Sequence, residues 1–393
     1  NGSCENARSQ ERNLRGKIKI GFKIIELHLQ KFAKDDCDRG HTMSGKLKMD
    51  EIAARTGYSV STVSRVLSGK SYTSDKAREA IVSCARQLGV LDDLASGRLL
   101  INGIAVFAPQ RTFIAQGDTY YLEVTRGIAE AVAPHDVYVS YCGLDEQRAD
   151  IKVFMEKAGH KNINAIIIIG IDDPTIHKLA QSLDKPCVLI NSRDKEGLLD
   201  SVSPDHRAIG YSAANYLFEQ GHRRILNVTS LRRETMYWRL EGIKEVYRQF
   251  QLPFDAQRDL LVTEGFSEEE TERAFADWFA STPPSAWPEV VFCAGLPMSV
   301  GIYHVLQKRG VRIPQDISLM TTYVWELDAP MRNETTGIAI PCRALGIEAV
   351  HLLQTRLNRP KAPVFNLLLQ GKVYDLGTVT HATRHAARVS ISR

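Results

Sequence analysis

Short apolar segments alternate with helix-like segments between residues 103 and 321, and this alternation sets the tightest limit on the folds open to the chain. Strands of a parallel sheet are covered by helices on both faces, so they form short and nearly continuous apolar runs. The predicted strands are Gly103–Ala108, Val137–Tyr141, Ala165–Ile171, Cys187–Asn191, Ile225–Thr229, Asp259–Val262, Val290–Ala294 and Ile317–Thr321. The helices predicted between them are Tyr121–Ala133, Pro174–Ser182, Ala208–Gln220, Arg239–Phe250, Glu268–Ser281 and Met298–Arg309. This order of elements predicts an α/β fold with parallel sheets.

The strand–helix units are too many for one sheet with a single reversal of strand order, so we predict two doubly wound lobes. We place lobe 1 at about residues 103–203 and 337–363, and lobe 2 at about residues 204–334 and 364–380. A cleft between two such lobes is the natural place for a ligand. The 393 residues leave room for a further small domain before residue 103.

Residues Met49–Ser68 read MDEIAARTGYSVSTVSRVLS, and this order of residue types is typical of a helix-turn-helix. Ala53 is small enough for the second helix to cross closely. Gly57 can adopt a positive φ in the turn, and Val63 can fill the core from the second helix. We therefore predict a small helical domain at this end of the chain.

The second helix of this motif is predicted over Val60–Leu67, with Ser59 as its N-cap. A third helix, at about Ser74–Leu88, has apolar residues at helical spacing that can close a three-helix unit. The predicted helix-turn-helix domain spans residues 43–90.

The outer face of the second helix has residue types that can contact DNA. Arg65 can bind guanine through two hydrogen bonds, and Val60 can meet a thymine methyl. The hydroxyls of Ser61 and Ser64 can reach phosphates or base edges. Residues 43–100 carry nine Lys or Arg against six Asp or Glu, and no acidic residue lies on this face. The pattern favours a local DNA-binding surface over binding through bulk charge, because the net charge of the whole chain is only +4.

The run LKMDEIAARTGYSVSTVSRVLSG resembles the headpiece of the LacI/GalR family of bacterial transcription regulators. The body resembles the same family at GHRRI (221–225), RLEG (239–242) and GVRIPQDIS (310–318). The resemblance implies a two-lobed body of the type I periplasmic-binding-protein fold. It also implies a cytoplasmic, nucleoid-associated regulator, most often a repressor, that binds a pseudo-palindromic operator as a homodimer. A small-molecule effector, sugar-like or atypical, would bind in the cleft between the lobes.

The resemblance also implies which residues make the contacts. By position, Val60, Ser61 and Arg65 read bases, whereas Thr62 and Ser64 hold phosphates. The DNA-binding residues are Ser59, Val60, Ser61, Thr62, Ser64, Arg65, Ser68, Arg98, Leu99 and Leu100. The effector-binding residues are Tyr120, Tyr121, Asn191, Arg239, Phe266, Gly295 and Tyr323.

The chain departs from the sugar-binding members of the family at two places in the cleft. These members carry an Asn-Asp pair where this chain has Gly295-Leu296, and an Asp pair where it has Tyr323-Val324. Carboxylates bind sugar hydroxyls through strong, charge-assisted hydrogen bonds, so a standard monosaccharide site is not expected. An aryl or alkyl glycoside, an anionic metabolite bound by Arg239, a protein partner and the absence of any effector are the alternatives.

The segment that joins the headpiece to the body, residues 91–102, also departs from the family pattern. It lacks the usual Pro, carries two Asp residues and is shorter than is usual. Leu99 or Leu100, together with Arg98, is the candidate for the leucine that family members insert into the minor groove. Because this hinge is altered, a two-lobed ligand receptor of the same fold with weak or no DNA binding is the alternative function.

Several other classes of protein are disfavoured by the sequence. The seven cysteines form no CxxC pair and no cluster at metal-ligand spacing, so neither a disulfide scaffold nor a metal site is expected. The chain has no glycine-rich nucleotide loop and no nucleophile elbow, so we predict neither an enzyme nor a cofactor. The longest apolar run, Ala165–Ile171, is far too short to span a membrane.

The two ends of the chain receive no predicted fold. Residues 1–42 show no sustained period, and we interpret them as a disordered or non-native extension before a natural start at Met43. Residues 381–393 are polar and basic and are predicted to be a disordered tail. They contain no leucine heptad, so a dimer is the expected assembly.

Overall fold

The structure is a computed structural model that describes residues 45–68, 73–90, 99–113, 119–146, 148, 150–324 and 335–382. The described residues form two compact units. Unit 1 contains residues 45–64 and 75–90, and unit 2 contains the remainder. The predicted N-terminal extension, most of the predicted hinge and most of the C-terminal tail lie outside the described residues.

Unit 1 is built around the predicted helix-turn-helix. Its helices are α1 (Gly45–Thr56), the first five residues of α2 (Val60–Leu67) and α3 (Asp75–Gln87); the last three residues of α2 group with unit 2. Ile52, Val63 and Ile81, one from each helix, are fully buried, so the core is built from the predicted apolar positions. Gly57 has φ of 75°, and its N–H donates to the carbonyl of Ala53 at 2.9 Å, which ends α1 at the predicted turn.

Lobe 1 of unit 2 contains a six-stranded parallel sheet. Its strands in spatial order are β11 (Asn366–Leu369), β5 (Asp200–Pro204), β4 (Cys187–Ile190), β3 (Ala165–Ile169), β1 (Gly103–Pro109) and β2 (Tyr138–Leu144). The helices that follow these strands in sequence, or pack on them, are α4 (Thr119–Val132), α5 (Ile151–Ala158), α6 (Pro174–Ser182) and α12 (Cys342–Asn358). Every residue of β1, β3, β4 and β5 is buried, as expected for a sheet with both faces covered.

Lobe 2 contains the second six-stranded sheet, in which only the edge strand β12 runs antiparallel to its neighbour. Its strands in spatial order are β12 (Lys372–Tyr374), β10 (Gly337–Ile340), β9 (Ser318–Val324), β8 (Val290–Cys293), β6 (Ile225–Thr229) and β7 (Leu260–Val262). Its helices are α7 (His206–Glu219), α8 (Glu234–Gln249), α9 (Ala256–Asp259), α10 (Glu268–Ser281) and α11 (Leu296–Lys308). Among the described residues, no helix combines the length and apolar character needed to cross a membrane.

The predicted boundaries between the lobes are wrong near the C-terminus. Strand β10, which we assigned to lobe 1, pairs with β9 in the sheet of lobe 2. Strand β11, which we assigned to lobe 2, pairs with β5 in the sheet of lobe 1. Each of the two short strands therefore belongs to the lobe opposite to the one that we predicted for it. The chain crosses between the lobes after β5, between β10 and α12, and between β11 and β12.

Candidate functional site

The predicted N-cap of helix α2 is confirmed. The Ser59 hydroxyl accepts a hydrogen bond from the backbone N–H of Thr62 at 3.2 Å. The same oxygen lies 2.9 Å from the hydroxyl of Ser61 and 2.8 Å from that of Thr62. A side-chain cap satisfies an N–H group that the first turn of a helix otherwise leaves without a partner, so Ser59 fixes where α2 begins.

The predicted DNA-contacting residues of α2 form one accessible surface. Ser59, Val60, Ser61, Ser64 and Arg65 are exposed, while Thr62 and Ser68 are partly buried. The hydroxyl of Ser68 donates to the carbonyl of Arg65 at 3.0 Å, which completes the last turn of the helix. The exposed surface combines one guanidinium, three hydroxyls and an isopropyl group, and it contains no carboxylate. These are the groups that contact phosphates and base edges in a major groove.

The predicted minor-groove residues lie in a different environment. Leu99 and Leu100 are buried in unit 2, and the N–H of Leu100 donates to the side-chain carbonyl of Gln354 at 2.7 Å. Arg98 lies outside the described residues. A role for either leucine as a wedge in DNA therefore requires it to leave this buried position.

A second cluster of polar side chains joins the two lobes at the carboxyl ends of β3 and β4, where ligands bind in open α/β sheets. Its centre is Arg233, which precedes α8 of lobe 2 and is only 7% exposed. The Arg233 Nε donates to Asp172 Oδ2 at 2.7 Å, and its Nη2 donates to Asp172 Oδ1 at 3.1 Å. Its Nη1 donates to the Tyr121 hydroxyl and the Gly170 carbonyl, both at 2.6 Å, and Nη2 also donates to the Asn191 carbonyl at 2.7 Å.

Gly170 makes room for this arrangement. Its φ is 62°, and a Cβ placed on it would lie 2.2 Å from the Tyr121 hydroxyl and 2.9 Å from the Arg233 Nη1. Both distances are shorter than a van der Waals contact. Any side chain at position 170 would therefore displace the tyrosine and the arginine.

A chain of hydrogen bonds connects Tyr121 of lobe 1 to Arg239 of lobe 2 through Asn191 and His206. The Asn191 side-chain amide donates to the Tyr121 hydroxyl at 3.3 Å, and its oxygen lies 2.8 Å from His206 Nε2. The His206 Nδ1 in turn lies 3.0 Å from Nη2 of Arg239. Burial, reinforced by the nearby positive charges of Arg239 and Arg233, lowers the pKa of His206 well below 6.5, so the imidazole is neutral.

Arg239 occupies the lobe 2 side of this line and is 4% exposed. Its Nη1 donates to the carbonyl of Ala294 at 2.8 Å and to the hydroxyl of Thr322 at 3.2 Å. Burial lowers the pKa of Arg239 to about 10, and the charge of Tyr120 opposes this shift. The Nε of Arg239 is buried and has no hydrogen-bond partner among the described residues, so it is a donor that a ligand oxygen could use.

The other predicted effector residues are placed differently. Tyr120 stacks edge-on against Tyr121 with the ring centroids 5.1 Å apart, and Gly295 directly follows the Ala294 carbonyl that Arg239 binds. Tyr323 is buried on β9. Phe266 packs against the apolar cluster that contains Phe275 and Ile302, so its observed contacts are structural. The polar network thus includes Tyr121, Asn191 and Arg239 of the predicted set.

A pocket of about 190 Å³ adjoins the Arg233 cluster, since Asp172 also forms part of its wall. Both lobes contribute to the lining, which includes Arg193 and Asp194 of lobe 1 and Glu234 of lobe 2. Lys195 and Glu234, which also line it, form an ion pair between the lobes at 3.9 Å. The pocket is lined mainly by charged side chains, which distinguishes it from the apolar pockets typical of drug-like ligands.

A group of potential metal ligands lies elsewhere in lobe 2. Side-chain ligand atoms of Glu268, Glu272 and His304 come within 4.8 Å of one another on α10 and α11. The Lys308 ammonium binds the Glu272 carboxylate at 2.5 Å, and His304 Nδ1 lies 3.1 Å from Glu268. These side chains contact one another and Lys308 at the surface of lobe 2.

Sequence reasoning missed Arg233, Asp172 and His206. Asp172 directly follows a predicted strand, and polar residues at that position in an α/β sheet tend to face the ligand cleft, so a signal existed. Arg233 had no comparable signal, because it stands beside Arg232 in a polar loop and its partner is 61 residues away. His206 was missed because the strand before it, β5, is largely polar.

Comparisons with known proteins match both parts of the chain. The family described as bacterial regulatory proteins, lacI family, matches residues 48–90, and the periplasmic binding protein-like domain matches residues 214–375. The HTH-type transcriptional repressor CytR of Escherichia coli strain K12 is 26% identical over 310 residues, covering 78% of this chain and 88% of CytR. The ribose operon repressor of Haemophilus influenzae is 24% identical over 325 residues, covering 82% of this chain and 95% of that repressor.

Solved structures support the same fold. The complex of the transcriptional regulator CelR with cellobiose has a TM-score of 0.60 at 20% identity, and the alignment covers 83% of this chain and 98% of CelR. The Lac repressor dimer bound to operator and the anti-inducer ONPF also has a TM-score of 0.60, at 18% identity, over 84% of this chain and 98% of that chain. The fold and its polar cleft thus define a helix-turn-helix unit joined to a two-lobed body like that of the periplasmic binding proteins. Its helix-turn-helix unit matches the lacI family of bacterial regulatory proteins, and over most of its length the chain is similar to the CytR and ribose operon repressors.

Proposed function

We propose that this protein is a sequence-specific transcription regulator, acting as a repressor and not as an enzyme, that binds a pseudo-palindromic operator as a homodimer. It would work in the cytoplasm, at the nucleoid. The exposed surface of α2 carries this proposal, because its groups can contact DNA and Ser59 holds the helix in a defined position. Two copies of α2 in a dimer would read two half-sites related by two-fold symmetry.

The cleft between the lobes is the proposed site of regulation. A ligand that binds one arrangement of the lobes better than another shifts the protein toward that arrangement, and with it the affinity for operator. The buried Nε of Arg239 offers a donor to a ligand oxygen on the lobe 2 side. An oxygen-rich or anionic effector fits this donor better than an apolar one does.

Selection of DNA by the full chain from a random duplex pool tests the proposed function. We expect enrichment of a two-fold symmetric motif, which the Arg65→Ala variant should bind more weakly and with relaxed specificity at one position per half-site. Arg312→Ala is a suitable control, because Arg312 lies in lobe 2 and is paired with Asp316 at 2.5 Å. A folded, dimeric protein that enriches no motif would contradict the proposal and favour the two-lobed receptor function.

A further inference from the structure

The side chain of Arg233 lies in a site built by the other lobe. An arginine has five N–H groups, and Arg233 makes five hydrogen bonds, so its donor capacity is filled. All five acceptors belong to lobe 1, whereas Arg233 belongs to lobe 2. They are the two carboxylate oxygens of Asp172, the carbonyls of Gly170 and Asn191, and the hydroxyl of Tyr121. We call these four lobe 1 residues the guanidinium site.

The guanidinium site has the chemistry of a receptor for a planar cation. The Asp172 carboxylate receives Nε and Nη2 side by side, which is the two-pronged geometry that a guanidinium makes and an ammonium does not. The carbonyls of Gly170 and Asn191 add two further acceptors. The groups that face Arg233 from Asp172, Gly170 and Asn191 are a carboxylate and two carbonyls, which can only accept hydrogen bonds. A neutral sugar in place of the guanidinium would leave the carboxylate without a positive charge beside it.

Other parts of lobe 1 hold the site in this form. The hydroxyl of Ser192 donates to Asp172 Oδ1 at 2.6 Å, which fixes the carboxylate. Asn191 has φ of 52°, and this turn directs its carbonyl to Arg233 while its side chain reaches Tyr121. Contacts within lobe 1 therefore help to position the Asp172 carboxylate and the Asn191 carbonyl.

We propose that lobe 1 carries a guanidinium-binding site whose occupant is Arg233 of the same chain, so that the two lobes are held together when no effector is bound. The tether keeps the guanidinium at a high effective concentration, so a free ligand competes poorly. A ligand that displaces Arg233 from these acceptors has to replace its positive charge and its donors, and a guanidinium or amidinium group supplies both. The consequence for operator affinity rests on the proposed function, but the site itself does not.

Chemical rescue of the full chain tests the proposal. The Arg233→Ala variant lacks two methylene carbons and the guanidinium, and ethylguanidinium supplies those atoms. We expect the substitution to lower the Tm by roughly 5 °C, because it leaves Asp172 without its partner. Millimolar ethylguanidinium should restore much of this loss in a saturable manner. Ethylammonium, which has the same charge but lacks the planar donor array, should not.

Arg232→Ala is the matched control, because Arg232 is the exposed neighbour of Arg233 in the same loop. Neither this variant nor the wild type should gain stability from ethylguanidinium. Equal gains in Tm in all three proteins, or no saturable gain in the Arg233→Ala variant, would overturn the proposal.

If the Arg233→Ala variant does not fold, the Asp172→Asn variant provides a second test, because it preserves the shape of the Asp172 side chain and removes its charge. Small-angle scattering should then give a larger radius of gyration for Asp172→Asn than for the wild type, and an unchanged radius would overturn the proposal.

The outcomes separate this inference from the proposed function. Rescue of the Arg233→Ala variant by ethylguanidinium, with no enrichment of an operator, would support the guanidinium site and contradict the regulator function. Enrichment of an operator, with no rescue of the Arg233→Ala variant by ethylguanidinium, would support the regulator function and contradict the proposed guanidinium site. When both succeed, operator affinity of the Arg233→Ala variant should change on addition of ethylguanidinium.

Discussion

His206 Nδ1 lies 3.0 Å from Nη2 of Arg239, and this contact fixes the proton of the imidazole on Nε2. A guanidinium can only donate, so Nδ1 must accept. The remaining N–H then points to the side-chain oxygen of Asn191, at 2.8 Å. Since Asn191 belongs to lobe 1, the neutral histidine forms a second polar connection between the lobes, beside that of Arg233.

The neutral state of His206 predicts a loss of stability in acid. Its pKa in the folded chain is well below 6.5, because of burial and the nearby charges of Arg239 and Arg233. Below pH 6.5 the unfolded chain binds a proton that the folded chain does not, so the free energy of unfolding decreases as the pH falls. The decrease from this residue is at most about 1.4 kcal/mol per pH unit. His206→Gln, which retains a donor and an acceptor, should reduce it.

Urea unfolding at pH 7 and pH 5 measures this effect. His351→Gln is the control, because the side chain of His351 is 59% exposed and lies outside the buried polar network. The explanation fails if His206→Gln retains the full wild-type difference between the two pH values.

A pair of glycine substitutions tests the close packing of Tyr121 and Arg233 against Gly170. Gly170 and Gly197 both have positive φ, of 62° and 69°, so alanine costs about 1–2 kcal/mol of backbone strain at each. A Cβ on Gly197 meets nothing within 4 Å, whereas one on Gly170 strikes Tyr121 and Arg233. We expect Gly170→Ala to destabilise the protein more than Gly197→Ala does, because it displaces Tyr121 and Arg233 from their hydrogen bonds and weakens the partly exposed Arg233–Asp172 ion pair. Equal losses in thermal unfolding would show that the packing of Tyr121 and Arg233 against Gly170 contributes little to stability.

Substitutions of Ser59 separate the stability of α2 from its binding surface. Ser59→Ala removes the N-cap and should cost about 1 kcal/mol. Ser59→Asp retains a capping oxygen and should therefore preserve stability, but it places a negative charge on the exposed surface. We expect Ser59→Asp to lose operator affinity, which electrophoretic mobility shifts would measure. Wild-type affinity in this variant would mean that the start of α2 does not approach DNA.

Arg65 provides a test of which residues read sequence. Removing a guanidinium that binds guanine should cost about 1–3 kcal/mol of operator affinity and relax specificity at that base pair. Ser64→Ala, at the position expected to hold a phosphate, should instead weaken binding to all sequences alike. Competition between the selected operator and single-base variants distinguishes the two patterns. If Arg65→Ala leaves the ranking of the variants unchanged, the predicted docking of α2 is wrong.

Local patterns were sufficient to predict the helix-turn-helix and most of the body. Helix α2 begins and ends at the predicted residues, and α6 and α10 also match the prediction. Each carries a polar cap or a regular apolar repeat, and these signals act over a few residues. The apolar runs of β3 and β6 were equally clear signals for buried strands.

Elements near the crossings between the lobes could not be predicted in the same way. Strand β5 has the sequence DSVSP, and its polar residues are buried between β4 and β11, with Asp200 bound by Arg356 of α12. Strand β12 is three residues long. The guanidinium site also has no local pattern, because its four residues come from separate elements that meet only when lobe 1 folds, and its occupant Arg233 comes from lobe 2. Long-range pairing, which one sequence does not encode in a local pattern, determines these features.

The late position of β11 and β12 affects how the protein is made. A ribosome delivers residues from the N-terminus, so the three helices of unit 1 are available before any strand of the body. The sheet of lobe 1 lacks its edge strand until residues 366–369 have emerged, and β5 presents an unpaired edge until then. A nascent chain therefore acquires its helix-turn-helix long before either lobe is complete. A chain cut short by even a few dozen residues would leave both lobes unfinished.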